Sequence, residues 1–176
     1  LQALAPESLI MISPHSPMYR DAFAVKGSPH LQGSFAGFAC PQVRIAKEND
    51  LALVRAMLEE AEKAEVPLVE VESASGRWST PGEELDHGLL VPLYFFDQAF
   101  EARIVCLSLS GLSYRDHFRL GRAARDACAR LGRRAVFVAS GDLSHRLIPS
   151  APAGYNPRGK EFDKRMVDIA ASGLFD

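Results

Sequence analysis

Two hydrophobic patterns alternate along this chain. Short apolar runs predict buried strands, and they cover residues 8–13, 42–46, 67–71, 102–109 and 134–139. Apolar residues that recur every three or four positions predict helices at residues 51–61, 86–96, 113–131 and 157–171. The last strand is wholly apolar after its arginines, which favours a central strand covered on both faces.

Residues at the segment ends support these boundaries. Asn49, Asp86 and Ser113 are suited to accept hydrogen bonds from the first turn of a helix, and Gly132 is suited to end one. Pro92 falls early in its helix, where a missing N–H does the least harm. Because strands and helices alternate, we expect an α/β domain with three layers, α/β/α, around a mostly parallel central sheet.

The remaining segments are polar or irregular. Residues 17–37 are rich in glycine, proline and serine and predict a long loop with, at most, short edge strands. Residues 72–82 predict a polar loop that holds the only tryptophan, Trp78. Residues 1–6 resemble the tail of a helix that starts earlier. We therefore expect residues 1–176 to be one domain that is truncated at both ends.

Composition narrows the functional classes. The 176 residues are 47% hydrophobic and 24% charged, with a net charge of −2, which is ordinary for a globular domain. This balance offers no basic stripe for nucleic acid and no polybasic patch for a membrane surface. No apolar run approaches the ~20 residues of a membrane span. Cys40, Cys106 and Cys128 are scattered without metal-binding spacing, which favours reduced, mostly buried thiols in a cytoplasmic protein.

Histidines follow several apolar runs, at positions where a parallel α/β sheet places its active site. Histidine is the commonest metal ligand and titrates near neutral pH. The sharpest segment is Ser-Gly-Asp-Leu-Ser-His at 140–145, where the glycine allows a tight turn and Asp142 can orient the imidazole of His145. The alternative for this segment is a capped turn with an incidental surface histidine.

Two further histidines lie in comparable positions. His15 stands between two prolines, whose fixed backbone suits a side chain that must keep one orientation, as a metal ligand must. His87 begins a predicted helix, where the helix dipole disfavours the cationic imidazole and leaves a neutral hydrogen-bond donor. Both have a plain structural alternative, a solvated side chain on a stiff loop or at a helix cap. We expect His30 and His117 to be solvated residues outside the site.

Other catalytic schemes lack their motifs. Ser108 and Ser110 are not part of the Gly-x-Ser-x-Gly turn of hydrolases. No glycine-rich phosphate-binding loop follows a predicted strand, so the sequence gives no support for a nucleotide-binding fold. Cys-x-x-Cys and His-Glu-x-x-His are absent from the sequence, which disfavours a structural zinc site or a zinc protease.

Three segments together resemble the LigB-type class III extradiol ring-cleavage dioxygenases. They are Ile-Ser-Pro-His-Ser-Pro at 12–17, Leu-Asp-His-Gly-Leu-Leu-Val-Pro-Leu at 85–93 and Ala-Ser-Gly-Asp-Leu-Ser-His-Arg-Leu at 139–147. The likeness covers nearly the whole chain in order, and the second and third segments together are fairly specific. It is nearest to the branch called AmmeMemoRadiSam system protein A, which joins such a domain to a second one.

The resemblance implies a site for non-haem Fe(II), or another divalent metal, that is formed by two histidines and one glutamate and is open to a catechol and O₂. His15 matches a metal-binding histidine, and His145 matches the acid/base histidine. His87 matches a histidine near the oxygen site that does not bind the metal. The residues expected to support these side chains are Asp86, Ser140 and Asp142.

The implied activity is Fe(II)-dependent opening of a catechol-like ring with O₂. The family's other metal-binding histidine would precede Leu1 and its glutamate would follow Asp176, so this stretch alone is expected to be inactive. The alternative is a non-catalytic module of the same fold that binds or regulates, together with a radical-SAM partner or a fused second domain. A homo-oligomer also stays open.

Topology adds a geometric expectation. His15 and His145 follow strands directly, and the carboxyl ends of parallel strands share one edge of a sheet. We therefore expect the imidazoles of His15, His87 and His145 to lie within roughly 10 Å of one another at that edge. His30 and His117 should lie elsewhere.

Overall fold

The computed structural model describes residues 4–71, 82–96 and 101–173. The chain divides into two compact units, Leu1–Ser140 and Gly141–Asp176.

In the described part of the first unit, strands alternate with three helices. Its strands are β1 (Ser8–Ser13), β2 (Phe23–Lys26), β3 (His30–Phe35), β4 (Cys40–Glu48), β5 (Leu68–Val71), β6 (Arg103–Ser108) and β7 (Ala135–Ala139). Its helices are α1 (Leu51–Lys63), α2 (His87–Phe96) and α3 (Tyr114–Leu131), and a 3₁₀ turn over Ala36–Phe38 joins β3 to β4. The strands predicted at 8–13, 42–46, 67–71, 102–109 and 134–139 are all confirmed within a few residues.

Five strands form the central sheet in the order β5-β2-β6-β1-β7. β1 lies between β6 and β7 and is parallel to both. β2 and β5 are parallel to each other, whereas β2 runs antiparallel to β6. β3 and β4 form a separate antiparallel hairpin. The sheet is therefore mostly parallel, with one antiparallel junction.

Side chains of the central strands alternate between two cores. Ile10 and Ile12 of β1 pack with apolar residues of α1 and α3 on one face of the sheet. Leu9 and Met11 point to the opposite face, where they pack with α2 and the β3–β4 hairpin. Burying both faces of the strands gives the first unit three layers, because each face needs its own apolar cover. The predicted three-layer α/β class is confirmed.

The ends of α3 form as predicted. The hydroxyl of Ser113 accepts a hydrogen bond from the backbone N–H of Asp116 at 3.2 Å. Gly132 ends the helix in the left-handed conformation with φ 60°, which costs glycine little because it has no Cβ.

The predicted cap of α1 is wrong by one residue. Asp50, not Asn49, accepts a hydrogen bond from the backbone N–H of Leu53. The side-chain amide of Asn49 instead donates to the backbone carbonyls of Lys26 and Ser28. The buried Asn49 thus ties the start of α1 to the loop after β2, a long-range contact that local sequence does not reveal.

The prediction for residues 17–37, a long loop with at most short edge strands, is wrong for β2. Phe23–Lys26 forms β2, an inner strand of the main sheet, and His30–Phe35 forms one strand of the hairpin. All four residues of β2 are buried. A strand this short shows no clear alternation in sequence, and its flanking glycine and proline residues hide it.

β7 lies at an edge of the sheet, which corrects the prediction that it is central. Val136 and Val138 pack against one core and Ala135 packs against the other. The apolar run therefore reflects contacts on both faces, although Phe137 stays 47% exposed.

The predictions for Pro92 and for residues 1–6 are also corrected by the structure. Pro92 is the sixth residue of α2 and lies inside the helix rather than in its first turn. Ala5 has a φ of 39°, so the helix tail predicted at 1–6 is wrong at that residue. Residues 1–3 and most of the predicted loop at 72–82, with Trp78, lie outside the described residues.

The second unit contains α4 (Arg158–Ser172), which confirms the helix predicted at 157–171. Its first turn packs closely on the preceding loop, because Gly159 lies against the Ser144 hydroxyl and the Arg146 carbonyl. The carboxylate of Asp163 accepts a hydrogen bond from the backbone N–H of Ser144 at 2.7 Å. Across both units, the described residues hold no helix with the length and apolar character to cross a membrane.

Candidate active site

The loop after β1 carries the first candidate residue, His15. β1 ends at Ser13, and the hydroxyl of Ser13 accepts a hydrogen bond from the backbone N–H of His15 at 3.1 Å. This local turn closes where Pro14 already restricts the backbone. Ser13 and Ser16 are buried on either side, whereas His15 is exposed. The backbone beneath His15 is therefore held in place while its imidazole remains accessible.

Asp86 holds this loop against the start of α2. Its carboxylate accepts hydrogen bonds from the hydroxyls of Ser13 and Ser16, both at 2.6 Å. It also accepts one from the backbone N–H of Gly88 at 2.9 Å, which caps the helix. The predicted capping role of Asp86 is confirmed, and the two serine contacts add links across 73 and 70 residues of the chain. One carboxylate therefore fixes both histidine-bearing segments.

Gly88 allows this close approach. A Cβ at Gly88 would overlap the Ser13 hydroxyl and lie 3.1 Å from both His15 Cδ2 and Asp86 Oδ1. Any larger residue would push α2 away from the His15 loop. The glycine after His87 is thus required by packing, not by backbone conformation.

The side chains of His15 and His87 lie together. Their ring centroids are 3.9 Å apart, and the ring planes are tilted by 35°. Phe38, on the turn of the β3–β4 hairpin, contacts His87 edge-on at 5.6 Å. The predicted convergence of His15 and His87 is confirmed.

Aromatic side chains of the hairpin and α2 border the histidine pair. Phe35 packs near Phe38 at 6.2 Å and near Tyr94 of α2 at 6.1 Å. Phe38 is largely exposed, so it offers a free ring face beside His87. This arrangement gives two imidazoles next to an apolar, aromatic surface, which suits a flat aromatic ligand.

The segment after β7 starts from the same edge of the sheet. β1 and β7 are parallel neighbours, and the backbone N–H of Ser140 donates to the carbonyl of Ile12 at 3.0 Å. This is the only role that the described contacts give to Ser140. The chain therefore leaves β1 and β7 on one side, as the topology argument requires.

His145 belongs to the second unit, where it pairs with Asp142. His145 Nε2 lies 3.7 Å from Asp142 Oδ2, and both side chains are more than half exposed. Asp142 can therefore orient the imidazole as predicted, although an exposed pair at this distance is weakly held. The distance from His145 to the His15–His87 pair stays a prediction.

The other two histidines make different contacts. His30 begins β3 and lies 3.8 Å from Glu48 across the hairpin, with its side chain exposed as predicted. His117 is half-buried, packs edge-on against Phe23 at 4.7 Å and is hydrogen-bonded through Nδ1 to the Ser113 carbonyl. His117 therefore lies outside the histidine pair, as expected, but it is only partly solvated, because its ring packs on Phe23 of β2.

The buried thiol of Cys106 lies behind the site. Cys106 is on β6 next to β1, and burial raises its pKa to about 12. It is thus neither a nucleophile nor a metal ligand near neutral pH. Cys128 is half-buried, and burial also raises its pKa, whereas Cys40 is exposed.

The residues present do not by themselves fit a metal ion. Within the described ranges, no group of three or more histidine, cysteine, aspartate or glutamate side chains could hold one. Two oxygens of Asp86 are already occupied by serine and backbone donors. A metal bound by His15 would therefore need ligands from elsewhere.

Sequence reasoning missed the residues that build the site around the histidines. Ser13 and Ser16 lie in the motif at 12–17 and Gly88 lies in the motif at 85–93, but their contacts with Asp86 and His15 were not predicted. The signal was present, since small polar residues flank one histidine and a glycine follows the other. Phe38 had no sequence signal, because its place depends on the hairpin.

Comparison with known proteins bears on this geometry. The chain is 35% identical over 170 residues to protein CA_C1420 of Clostridium acetobutylicum, covering 96% of this chain and 36% of that protein. It is 25% identical over 196 residues to the 2-aminophenol 1,6-dioxygenase beta subunit of a Pseudomonas species, covering the whole chain and 62% of that subunit. The chain thus spans less than two thirds of either relative.

A family model matches residues 1–176, from the first to the last. It describes the catalytic LigB subunit of aromatic ring-opening dioxygenases. The match includes the His15 loop, the Asp86-His87-Gly88 turn and the segment that carries His145. The resemblance inferred from the three motifs is confirmed, and the chain belongs to the LigB family.

Proposed function

We propose that residues 1–176 are the LigB-like domain of an Fe(II)-dependent extradiol dioxygenase that opens a catechol-like aromatic ring. The observation that carries the proposal is the His15–His87 pair, fixed by one carboxylate beside exposed aromatic side chains. Both atoms of O₂ would enter the ring-opened product. Family membership supports the reaction class.

His145 is proposed as the acid/base residue. It would take a proton from a substrate hydroxyl and return one later in the reaction, a task that suits an imidazole because it titrates near neutral pH. Asp142, 3.7 Å away, would orient the ring. The high exposure of this pair is compatible with a residue that must meet a substrate from solution.

His87 is proposed to hydrogen-bond bound oxygen or a substrate hydroxyl. From the start of α2 it would act as a hydrogen-bond donor. Its ring is confined between His15 and Phe38, which limits its rotation. Asp86 and Gly88 would keep this position constant during turnover.

His15 is proposed as a metal ligand, and Fe(II) or another divalent metal would supply the electron transfer between substrate and O₂. The described residues do not complete such a site. We propose that the remaining ligands come from other parts of the protein. Both relatives extend beyond the matched region, which supports this proposal.

The test uses the full-length protein, loaded anaerobically with Fe(II) and then exposed to air and a panel of catechols. We expect a yellow ring-opened product from at least one of them. His145→Gln should lower turnover by about 10²–10⁴-fold and leave the bound metal unchanged. His117→Gln is the matched control, because it changes an imidazole that packs on Phe23 instead.

Two outcomes would contradict the proposal. One is the absence of a ring-opened product with every catechol in the panel, although metal is bound. The other is full turnover in His145→Gln. Loss of metal in His15→Ala, measured by elemental analysis, would separately support the ligand role of His15.

A non-catalytic module of the same fold is the second candidate. Such a module would keep the aromatic surface and serve a fused second domain or a radical-SAM partner, as in the AmmeMemoRadiSam branch. The C. acetobutylicum relative, of which the matched region is 36%, supports a further domain. A full-length protein that binds no metal but recovers a stable partner would favour this candidate.

We also propose a location and an assembly for the protein. The scattered cysteines support a reducing, cytoplasmic location. The Pseudomonas relative is named as a beta subunit, which supports an assembly with other chains. Light scattering of the full-length protein, alone and with candidate partners, would test the assembly.

A further inference from the structure

The outward face of α3 carries a stripe of residues that the candidate active site does not use. α3 packs with α1 on one face of the central sheet, whereas α2 packs on the other. The outward residues of α3 recur every three or four positions, and all of them are exposed: Tyr114, Phe118, Gly121, Arg122, Arg125 and Ala129. We call this set the α3 stripe. Because it lies on the face away from α2, a partner bound there would leave the His15–His87 pair open.

The stripe begins with two exposed aromatic side chains. Tyr114 is 95% exposed, and Phe118, one turn later, is 70% exposed. Neither belongs to the two hydrophobic cores of the first unit. Single exposed apolar residues are common, but two neighbouring rings on one helix face form a patch, and aromatic residues are enriched where proteins bind proteins. The start of the α3 stripe thus offers an apolar anchor to a partner.

A glycine lies in the middle of the stripe without a reason inside the described chain. Gly121 is in the interior of an 18-residue helix, where glycine is less favourable than alanine. A Cβ there would meet no described atom within 4 Å, and the residue has no positive φ. Two helices approach most closely where the side chains at their contact are small. Gly121 therefore suits the point at which a second helix crosses α3.

The charge of this face is positive. Arg115, Arg122 and Arg125 are exposed on the stripe or beside it. The acidic residue on the same face, Asp126, pairs with Arg125 at 2.7 Å. If two copies of the stripe met across a two-fold axis, the arginines would lie close to their own copies, and like charges oppose association. Charge complementarity favours an acidic partner over a second copy of this chain.

We propose that the α3 stripe is the docking surface for an acidic amphipathic helix of another protein. Apolar residues of that helix would cover Tyr114 and Phe118, and its axis would cross α3 at Gly121. Its carboxylates would pair with Arg115 and Arg122. The stripe from residue 114 to 125 is about 16 Å long, which matches about three turns of a partner helix. This inference goes beyond the proposed function and does not rest on it.

The test uses the full-length protein and two synthetic helical peptides of about 20 residues. Both peptides carry leucine every three or four positions, and the positions beside the leucines are glutamate in one peptide and lysine in the other. Fluorescence anisotropy measures their binding. We expect the glutamate peptide to bind at least roughly tenfold more tightly, and this difference should shrink as salt is added, because exposed charges are screened.

Charge reversal locates the binding surface. The double variant Arg115→Glu/Arg122→Glu should abolish the preference for the glutamate peptide, because it removes the two proposed partners of the carboxylates. The double variant Arg44→Glu/Arg103→Glu is the matched control. It makes the same change of charge at exposed arginines outside α3 and should leave the preference unchanged.

Two further variants separate binding from folding. Phe118→Ala should weaken binding of the glutamate peptide by about tenfold, since truncation of an aromatic anchor is costly at an interface. Gly121→Ala should also weaken binding, because its methyl group blocks the closest approach of the helices. Urea unfolding of Gly121→Ala should show no loss of stability, since the new methyl group enters open space. Weaker binding by a chain that is at least as stable is the result that a purely structural glycine would not give.

Four results would overturn the proposal. The first is equal binding of the two peptides, or of neither. The second is a glutamate preference that survives in Arg115→Glu/Arg122→Glu. The third is a single-stranded DNA oligonucleotide that binds through the same arginines more tightly than the glutamate peptide, which would assign the stripe to nucleic acid. The fourth is a dimer of the full-length protein that Phe118→Ala dissociates, which would assign it to a second copy.

Discussion

The two histidine-bearing loops are held in different ways. In the first unit, Asp86 accepts three hydrogen bonds and joins the His15 loop to α2. In the second unit, Asp163 accepts one hydrogen bond from the loop that carries His145. Each loop also faces a glycine in the first turn of a helix, Gly88 or Gly159.

Asp86 and Asp163 both accept hydrogen bonds from a histidine-bearing loop, but the helices next to them are packed differently. α2 buries Leu89, Leu90 and Leu93 in a core shared with the central sheet, whereas α4 buries only Gly159. A loop fixed by a core element is oriented before any ligand arrives, and such preorganisation favours metal or substrate binding. The His15 loop is fixed in this way by α2. The His145 loop is held by fewer contacts within the second unit.

Replacing the two aspartates gives the largest expected contrast. Asp86→Ala should lower the free energy of unfolding by about 2–4 kcal/mol, because it removes a helix cap and leaves two buried hydroxyls without their acceptor. Asp163→Ala should cost about 1 kcal/mol, the usual value for one hydrogen bond. Urea unfolding followed by circular dichroism measures both. A larger loss in Asp163→Ala would show that the second loop is the more firmly held.

Substitution of glycine tests the close packing of α2. Gly88→Ala should cost about 1–3 kcal/mol, because the new methyl group displaces the Ser13 hydroxyl from Asp86 and crowds His15. Gly121→Ala on α3 is the matched control, since its Cβ would meet no atom within 4 Å. That variant should gain about 0.5–1 kcal/mol from helix propensity. Equal behaviour of the two alanine variants would contradict the packing argument.

The sequence specified the parts of this molecule whose contacts are local or periodic. β1 and β6 are mainly apolar runs. The residues that cap α3 at its start and end it, Ser113 and Gly132, directly flank the helix in the sequence. β2 was missed because its four buried residues derive their stability from β5 and β6, which are distant in sequence. In the same way, the motifs named His15 and His87, whereas the serine contacts of Asp86 depend on the folded sheet.

The pH dependence of stability has a contribution from a helix cap outside the site. The Ser113 hydroxyl donates to the Asp116 carboxylate at 2.6 Å and holds the pKa of Asp116 below its ordinary value. A lowered folded pKa stabilises the protein above the unfolded value of about 4, and that stabilisation is lost as the pH falls through the folded pKa. Asp116→Asn should therefore lower stability at neutral pH, flatten the acid limb of the stability curve and leave its slope between about pH 6 and 8 unchanged. A changed slope near neutral pH would contradict this assignment.

The reaction rate of the Cys106 thiol is expected to report how firmly α2 is held against the central sheet. Of the effects predicted here, this one is the smallest. Cys106 packs in the core cluster that contains Leu89 and Leu93 of α2, and burial raises its pKa to about 12. With Cys40 and Cys128 replaced by serine, the remaining thiol should react with a disulfide reagent only as fast as the protein opens. Asp86→Ala should accelerate that reaction, because it weakens the helix that covers the thiol. Reaction of native Cys106 at the rate of an exposed thiol would show that α2 opens freely, and the preorganised site proposed here would then be excluded.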